Sequence, residues 1–160
     1  MPGKLKIETG FTMIELLVVI AVIGLISSLI LVSVVNSRQK ARDTRRLADM
    51  AQVNTGLALY HATYQGYPAG SNGFPLGMTP TYMAGLPKEP LPADGACIGV
   101  NHTGGADPVP SGVPYNNYYY VASGTPVNGV YPSYSYYFCL GYRTSSYQPG
   151  LHYMTPTGVQ

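Results

Sequence analysis

Twenty uncharged residues run from Leu16 to Val35, and this apolar segment constrains the fold more than any other part of the chain. It contains no proline, and Gly24 and three serines are its only interruptions. A helix rises about 1.5 Å per residue, so the segment would be about 30 Å long, which matches the hydrocarbon core of a bilayer. The sequence therefore predicts a membrane-spanning helix near its beginning.

A carboxylate, Glu15, comes immediately before this apolar segment, and a short polar leader, Met1–Gly10, precedes both. An unpaired carboxylate deep in hydrocarbon costs about 2.5 kcal/mol or more. We therefore expect Glu15 to have a partner. A secretory signal peptide is cut after its apolar stretch, which is then lost. Here the expected cut lies before the stretch, so the helix would stay with the mature protein.

The segment Gly10–Ile20, GFTMIELLVVI, resembles the type III signal of prepilins and pseudopilins, the subunits of type IV pili and of type II secretion systems. The resemblance implies that a prepilin peptidase cuts between Gly10 and Phe11 and N-methylates Phe11. It also implies that Glu15 neutralises the α-amino group of a neighbouring subunit, because two charges that are each costly in hydrocarbon are tolerated as a pair. The alternative is a plain signal anchor with an accidental glutamate.

The same resemblance implies the partners and the location of the chain. The precursor would sit in the cytoplasmic membrane as a single-pass protein. An inner-membrane platform protein and an assembly ATPase would then extract it into a helical homopolymer with other pilins. The resulting filament would be extracellular or periplasmic.

The distribution of basic residues conflicts in part with this orientation. Five of them lie between Arg38 and Arg46, whereas the leader offers only Lys4 and Lys6. Basic flanks mark the cytoplasmic side, so the count alone would place the C-terminal part in the cytoplasm. We follow the leader instead, because it resembles one that a cytoplasmic-face peptidase reads. We expect the basic cluster to meet lipid head groups or neighbouring subunits.

Charge is sparse after Gln65. The charged residues there are Lys88, Glu89, Asp94, Asp107 and Arg143. Soluble domains usually contain about a quarter charged residues. We interpret the low charge as the sign of a domain whose surface is largely covered by copies of itself. Two cations are also too few to give a strong nucleic-acid signal.

A helical pattern continues past the apolar segment. Apolar and small residues recur at steps of three and four, at Leu47, Met50, Ala51, Asn54, Leu57, Ala58, His61 and Tyr64. Gly66 and Pro68 provide a stop, so one helix from Thr12 to Tyr64 is predicted. The chain then divides into four parts, namely a leader (1–10), a membrane and assembly helix (11–35), its amphipathic second half (36–64) and a head (65–160).

The head is predicted to be a small antiparallel sheet. Strands are expected at Tyr118–Ala122, Tyr134–Leu140 and Leu151–Met154, a short helix at Thr79–Leu86, and a long irregular loop at Leu91–Pro114. Together with the long helix, this gives an α+β fold of the pilin type.

Two cysteines, Cys97 and Cys139, lie in the head. An even number in an extracytoplasmic domain favours a disulfide, which would close a loop of about 43 residues and contribute on the order of 4 kcal/mol in the chain-entropy model. The alternative is two unrelated buried thiols.

Thirteen of the 15 tyrosines follow Gln65. Tyrosine combines a large contact area with a polar tip, so these residues suit subunit packing or adhesion to surfaces and sugars. The alternative is that they are ordinary strand residues half buried against the helix. We interpret Tyr134, Tyr136 and Phe138 as structural and leave the others open.

The sequence contains no constellation typical of an enzyme. The histidines are far apart, and no nucleophile elbow, phosphate loop or zinc spacing occurs. We therefore predict neither catalysis nor a cofactor. Two weaker signals are a calcium set and a glycosylation acceptor, formed by Asp94, Asn101 and Asp107 and by Asn101-His102-Thr103 respectively.

The resulting hypothesis is a structural subunit of a type IV pilus or a related filament. A type II secretion pseudopilin is the alternative within this class, although the chain has no tryptophan and so lacks the tryptophan-glycine sequence that we associate with major pseudopilins. A minor pilin that binds ligands through its tyrosine-rich loops is an alternative from another class.

Overall fold

The computed structural model describes residues 10–104 and 108–160. The predicted leader up to residue 9 and the candidate calcium ligand Asp107 therefore lie outside the described residues. The chain forms two compact units, the first ending at Arg38 and the second beginning at Gln39. The elements are α1 (Met13–Tyr64), β1 (Gly70–Ser71), β2 (Phe74–Pro75), a 3-10 helix (Gly95–Cys97), β3 (Tyr119–Ser123), β4 (Ser133–Leu140), β5 (Gly150–Thr155) and β6 (Gly158–Val159).

The long helix begins and ends within one residue of its predicted bounds. α1 contains 52 residues, and its last turn closes with the amide of Gln65 donating to the carbonyl of His61 at 2.8 Å. Gln65, with φ of 58°, leaves the helical conformation one residue before the predicted glycine. Gly66 has a different role, because a Cβ there would lie 2.5 Å from a methyl group of Val130. The close approach of the two segments therefore requires glycine.

The first unit exposes its apolar side chains. Leu17, Leu25 and Val35 are 63%, 69% and 54% exposed. This part of α1 is long and apolar enough to cross a membrane. Its hydroxyls bond within the helix, since Ser28 donates to the carbonyl of Leu25 at 2.7 Å and Ser37 to that of Ser33 at 2.8 Å. Such internal pairing removes the cost of placing a hydroxyl in lipid.

The three predicted strands are confirmed, and they form one antiparallel sheet in the order β3-β4-β5-β6. Tyr120 pairs with Tyr136, and Phe138 pairs with His152. This sheet and the long helix confirm the α+β expectation.

A two-stranded hairpin, β1–β2, was not predicted. Asn72 and Gly73 connect its strands with φ of 50° and 80°, the two positive values that a type I′ turn needs. The Asn-Gly dipeptide is the sequence signal for such a turn. The amide of Tyr120 donates to the carbonyl of Gly73 at 2.8 Å, so the hairpin covers part of the free edge of β3.

The predicted helix at Thr79–Leu86 is wrong, because this segment forms turns. Both Tyr82 and Met83 donate their amides to the carbonyl of Met78, at 2.9 and 3.2 Å, so only one turn closes. Pro80 and Gly85 disfavour a longer helix. The open path lets Met78 and Met83 both reach the core, where they are 1% and 7% exposed.

The core of the second unit lies between α1 and the sheet. The helix contributes Met50, Val53 and Leu57, all 1% exposed or less. Three residues of the predicted apolar stripe, Ala51, Ala58 and Tyr64, are exposed. The face of the helix that contacts the core is therefore narrower than predicted. The buried residues of α1 follow steps of three and four, and the same steps backward from Met50 lead to two charged residues, Arg46 and Asp43.

Buried tyrosines fill the sheet side of the core and bond back to the helix. The Tyr118 hydroxyl donates to Asp49 at 2.9 Å and the Tyr134 hydroxyl to Asn54 at 2.9 Å. The structural interpretation of Tyr134, Tyr136 and Phe138 is confirmed, because each is 1% exposed or less. Burial raises the pKa of four tyrosines well above its usual value of about 10; they are Tyr118, Tyr120, Tyr134 and Tyr136.

The raised pKa values predict alkaline destabilisation of the second unit. Above about pH 10 the unfolded chain releases phenol protons that the folded chain retains, so the free energy of unfolding falls. We expect a loss of up to about 1.4 kcal/mol per pH unit for each buried tyrosine. Urea unfolding of the full chain in detergent micelles, followed by circular dichroism at pH 8 and pH 11, measures this loss.

Tyr136→Phe provides the control. The Tyr136 hydroxyl is buried and has no hydrogen-bond partner among the described residues, so its removal deletes a titrating group without deleting a hydrogen bond. The variant should match the wild type at pH 8 and lose less stability at pH 11. An identical loss in both proteins would contradict this account.

Candidate assembly site

The predicted processing junction lies in open backbone before the helix. Gly10, Phe11 and Thr12 precede the first residue of α1 and are not helical. Phe11 is 87% exposed, and a Cβ at Gly10 would meet no heavy atom within 4 Å. The bond between Gly10 and Phe11 is therefore accessible from outside. A protease needs such access, because helical backbone does not offer its peptide bonds for cleavage.

Thr12 and Glu15 form a capping box at the start of α1. The Thr12 amide and hydroxyl both donate to Glu15 Oε2, at 2.9 and 2.8 Å, and the Glu15 amide donates to Thr12 Oγ1 at 3.3 Å. This reciprocal pairing satisfies backbone amides that a helix start leaves without partners. Glu15 thus caps its own helix, a role that was not predicted.

The carboxylate of Glu15 keeps capacity for a second donor. Both Thr12 groups reach the same oxygen, whereas a carboxylate has about four acceptor positions. The side chains around it are apolar, because Phe11, Ile14, Val18 and Val19 line the same groove. An anion on an apolar surface attracts a cation strongly once water is excluded. The arrangement can therefore accept an ammonium group from another chain.

A second cluster of charge lies inside the second unit and was not predicted. Arg46 and Asp43 are both 0% exposed. Arg46 Nη1 lies 2.5 Å from Asp43 Oδ1 and 3.0 Å from Asp94 Oδ1, and Arg42 Nη2 lies 2.6 Å from Asp94 Oδ2. We call these four residues the buried ion network.

The buried ion network also binds three other segments of the head, two through backbone groups and one through a side chain. Gly141 and Tyr142, just after β4, donate their amides to the two oxygens of Asp43 at 3.0 and 2.9 Å. Arg46 Nη2 donates to Asn116 Oδ1 at 2.8 Å and to the Pro90 carbonyl at 3.3 Å. The network therefore holds α1, the end of β4 and the loop after Pro90 together.

The network corrects one expectation and bears on one weaker signal of the sequence. Two of the five basic residues expected to meet lipid head groups or neighbouring subunits, Arg42 and Arg46, bond inside the head, whereas Arg45 is exposed. Asp94, a candidate calcium ligand, is bound by two guanidinium groups. In residues 10–104 and 108–160, no group of three or more His, Cys, Asp and Glu side chains is placed to hold a metal ion.

The two cysteines are close to the network. Cys97 and Cys139 are linked, with the Sγ atoms 2.07 Å and the Cα atoms 5.9 Å apart. The Ala96 amide donates to the Gly141 carbonyl at 3.0 Å beside this link. Gly95, with φ of 51°, packs directly on that carbonyl, so a side chain there would have no space.

The three histidines occupy separate environments. His61 packs beside Tyr67, with ring centroids 4.8 Å apart, and His102 beside Tyr115, with centroids 4.7 Å apart. His152 Nε2 lies 2.8 Å from the carbonyl oxygen of Gln148. Each histidine is thus part of local packing, as predicted for His61.

Comparison with known proteins agrees with the site at the helix start. Residues 5–31 match the model of the prokaryotic N-terminal methylation motif. The chain is 26% identical over 99 residues to the type II secretion system core protein G of Vibrio cholerae, and 25% identical over 126 residues to that of Klebsiella pneumoniae. The chain carries a prepilin-type methylation motif and is similar to type II secretion pseudopilins.

The extent of the similarity differs among these relatives. The matched part covers 54% of this chain and 68% of the Vibrio protein, and 69% of this chain and 90% of the Klebsiella protein. For the Dickeya chrysanthemi core protein G, 30% identity extends over 55% of this chain and 57% of that protein. No solved structure gives a significant match.

The buried ion network predicts a strong dependence of stability on Arg46. Arg46→Met would leave two buried carboxylates without their shared cation, and breaking a buried pair from one side typically costs about 3–5 kcal/mol. Urea unfolding of the full chain in micelles should show a loss of this size. Arg45→Met, an equal change at an exposed position of the same helix, should stay within about 0.5 kcal/mol of the wild type. Equal stability of the two variants would contradict the role of the network.

Proposed function

We propose that the chain is a structural subunit that polymerises into a type IV pilus or a related filament through the apolar half of α1. The exposure of this surface is the observation that carries the proposal. The large side chains that the structure describes between Leu16 and Val35 are exposed, and a soluble protein rarely tolerates an apolar patch of that size. Lipid covers it in the precursor, and copies of the same helix cover it in the filament.

The processing step follows from the open junction and the methylation motif. A prepilin peptidase cuts between Gly10 and Phe11, removes the leader and methylates the new amino group. The capping box supports this proposal, because Thr12 and Glu15 already terminate the helix on the mature side of the cut. Cleavage therefore removes only residues before the cap and leaves the helix start intact.

Glu15 then serves as the assembly register. Its free acceptor positions receive the Phe11 amino group of a neighbouring subunit, a cation that cleavage creates. Both charges are costly in an apolar bundle and are tolerated as a pair, so a subunit docks only where the two groups meet. An inner-membrane platform protein and an assembly ATPase supply the work of extraction in this proposal.

The outer domain functions on the far side of the membrane in the proposal. The link between Cys97 and Cys139 supports an oxidising location such as the periplasm or the cell exterior. The sparse charge of the head suits contacts between copies. The role is structural, and no enzymatic step is assigned to the chain.

A secretion pseudopilus is the second candidate, and the comparisons favour it. The relatives reported above are type II secretion core proteins G. The absence of tryptophan argues against it. Neighbouring genes discriminate between the two candidates, because a secretin with secreted hydrolases indicates secretion, whereas a retraction ATPase indicates a pilus. A minor, ligand-binding subunit would be rare in purified filaments or confined to their tips.

Glu15→Gln tests the assembly proposal. The amide keeps the size of the side chain and can still accept from Thr12, but it removes the charge that would pair with the Phe11 amine. Removing one partner of a pair in apolar surroundings typically costs about 3–5 kcal/mol. We expect normal membrane levels, a normal Cys97–Cys139 link and few or no filaments, measured on sheared surface fractions.

Glu89→Gln makes the same chemical change in the head and should leave filament yield unchanged. Filaments at the wild-type level from the Glu15→Gln variant would show that Glu15 has no such role. Loss of the protein from the membrane would show instead that the substitution acts before assembly, and would equally contradict the proposed register.

A further inference from the structure

One loop of the head exposes apolar side chains without any exposed charge. The segment Leu91–Val100, which we call the apolar loop, has the sequence LPADGACIGV. Leu91 and Ile98 are 73% and 61% exposed. Its single charged residue, Asp94, is buried in the ion network. The loop therefore presents large apolar groups outward while its polar groups are occupied inside.

The buried ion network ties this loop to the beginning of the second unit. Asp94 bonds to Arg42 and Arg46, and the Pro90 carbonyl accepts from Arg46. Arg42 follows Val35, the end of the apolar segment, by seven residues, which is about 10 Å of helix. The interfacial layer of a bilayer is about 5–8 Å thick on each side of the hydrocarbon core. If the apolar segment spans a membrane, the length of the chain therefore keeps Arg42, to which the loop is bonded, close to the membrane surface.

Exposed cations flank the same attachment point. Lys40 and Arg45 are exposed on α1 on either side of Arg42. Arg143 is also exposed, and it follows directly after the Gly141 and Tyr142 amides that bond to Asp43. Apolar side chains together with Lys and Arg are the composition that binds anionic bilayer surfaces.

A second copy of the chain offers fewer partners for these cations. Within residues 39–104 and 108–160, the carboxylates outside the buried ion network are Asp49 and Glu89. Asp49 already accepts from the Tyr118 hydroxyl at 2.9 Å. An anionic bilayer presents phosphate groups to all three cations and an apolar layer to the loop. The membrane is also continuous with the surface that the apolar segment of the precursor already contacts.

We propose that, in the precursor, the apolar loop inserts Leu91 and Ile98 into the headgroup region of an anionic bilayer while Lys40, Arg45 and Arg143 contact lipid phosphates. This inference rests on the proposed membrane anchoring of α1. It gives the head a resting position on the membrane before extraction, and it assigns a role to apolar side chains that the fold itself does not use.

Tryptophan reporters test the inference, since the chain contains no tryptophan of its own. Leu91→Trp and Ile98→Trp each place one reporter on the loop. Val127→Trp is the matched control, because Val127 is 66% exposed at a different turn of the head. Val22→Trp is a reporter for the membrane span. Each full-length variant is reconstituted into vesicles of phosphatidylcholine and phosphatidylglycerol with brominated acyl chains.

Bromine quenches a tryptophan that reaches the acyl region. We expect Leu91→Trp and Ile98→Trp to lose at least about half of their emission relative to unbrominated vesicles, because an interfacial segment buries its apolar side chains at the boundary of headgroups and acyl chains. Val127→Trp should keep its emission. Replacing phosphatidylglycerol by phosphatidylcholine, or introducing Lys40→Gln with Arg143→Gln, should reduce the quenching of both loop reporters. An oxidised Cys97–Cys139 link in each variant verifies the fold, and each loop position is an independent test.

The outcomes that would contradict loop insertion can be distinguished from those that would contradict membrane anchoring. Quenching of Val22→Trp without quenching of either loop reporter would overturn the inference and leave membrane anchoring intact. No quenching of Val22→Trp would overturn the anchoring itself. Loop emission that changes with the protein-to-lipid ratio but not with bromine would identify a second copy as the occupant and would also overturn the inference.

Discussion

The uncovered apolar surface of α1 is the constraint on which the rest of this molecule depends. No element of the described chain shields the side chains between Leu16 and Val35, which are exposed wherever they are described. The free-energy cost of leaving such a surface in water grows by roughly 25 cal/mol for each Å². The chain must therefore exist in lipid or in contact with other apolar helices. In the proposed filament, Glu15 at the start of this surface would define one position along an otherwise uniform contact, because it adds a single charge.

The buried ion network attaches the small head to the long helix. The helix continues from an exposed apolar segment into one that carries a core, and the change occurs where Asp43 and Arg46 occupy buried positions. Their bonds reach Asp94, Asn116 and the backbone after β4. Hydrophobic contact alone would allow the head to slide along a helical stripe. Charges with defined partners allow one register only, which is the use of buried polar groups that is best attested.

The two halves of the site differ in how far sequence could predict them. Gly10, Phe11 and Glu15 are neighbours in the chain, so a local motif identified them. The partners in the ion network are distant, since Arg46 and Asp94 are 48 residues apart, and no spacing rule connects them. Charged residues are also rarely fully buried, which led us to assign the basic cluster to the surface.

The elements of the fold also divide into those that local sequence patterns predict and those that contacts between distant residues determine. The long helix and the strands around Phe138 and Met154 could be predicted from their periodicity and from β-branched and aromatic residues. The segment from Thr79 to Leu86 could not, because the path that it takes is determined by two methionines that reach a core formed by other elements. The hairpin at Asn72 and Gly73 has a local sequence signal of its own, the Asn-Gly dipeptide of a type I′ turn.

The central claim is that the apolar helix stays with the mature protein and begins it. Mass spectrometry of the N-terminal peptide from the mature protein tests this claim most directly. The account predicts a chain that begins at Phe11 with one additional methyl group on its amino nitrogen, and the leader up to Gly10 absent. A mature N-terminus within or after the segment from Leu16 to Val35 would contradict the account, because the surface on which assembly depends would then be lost.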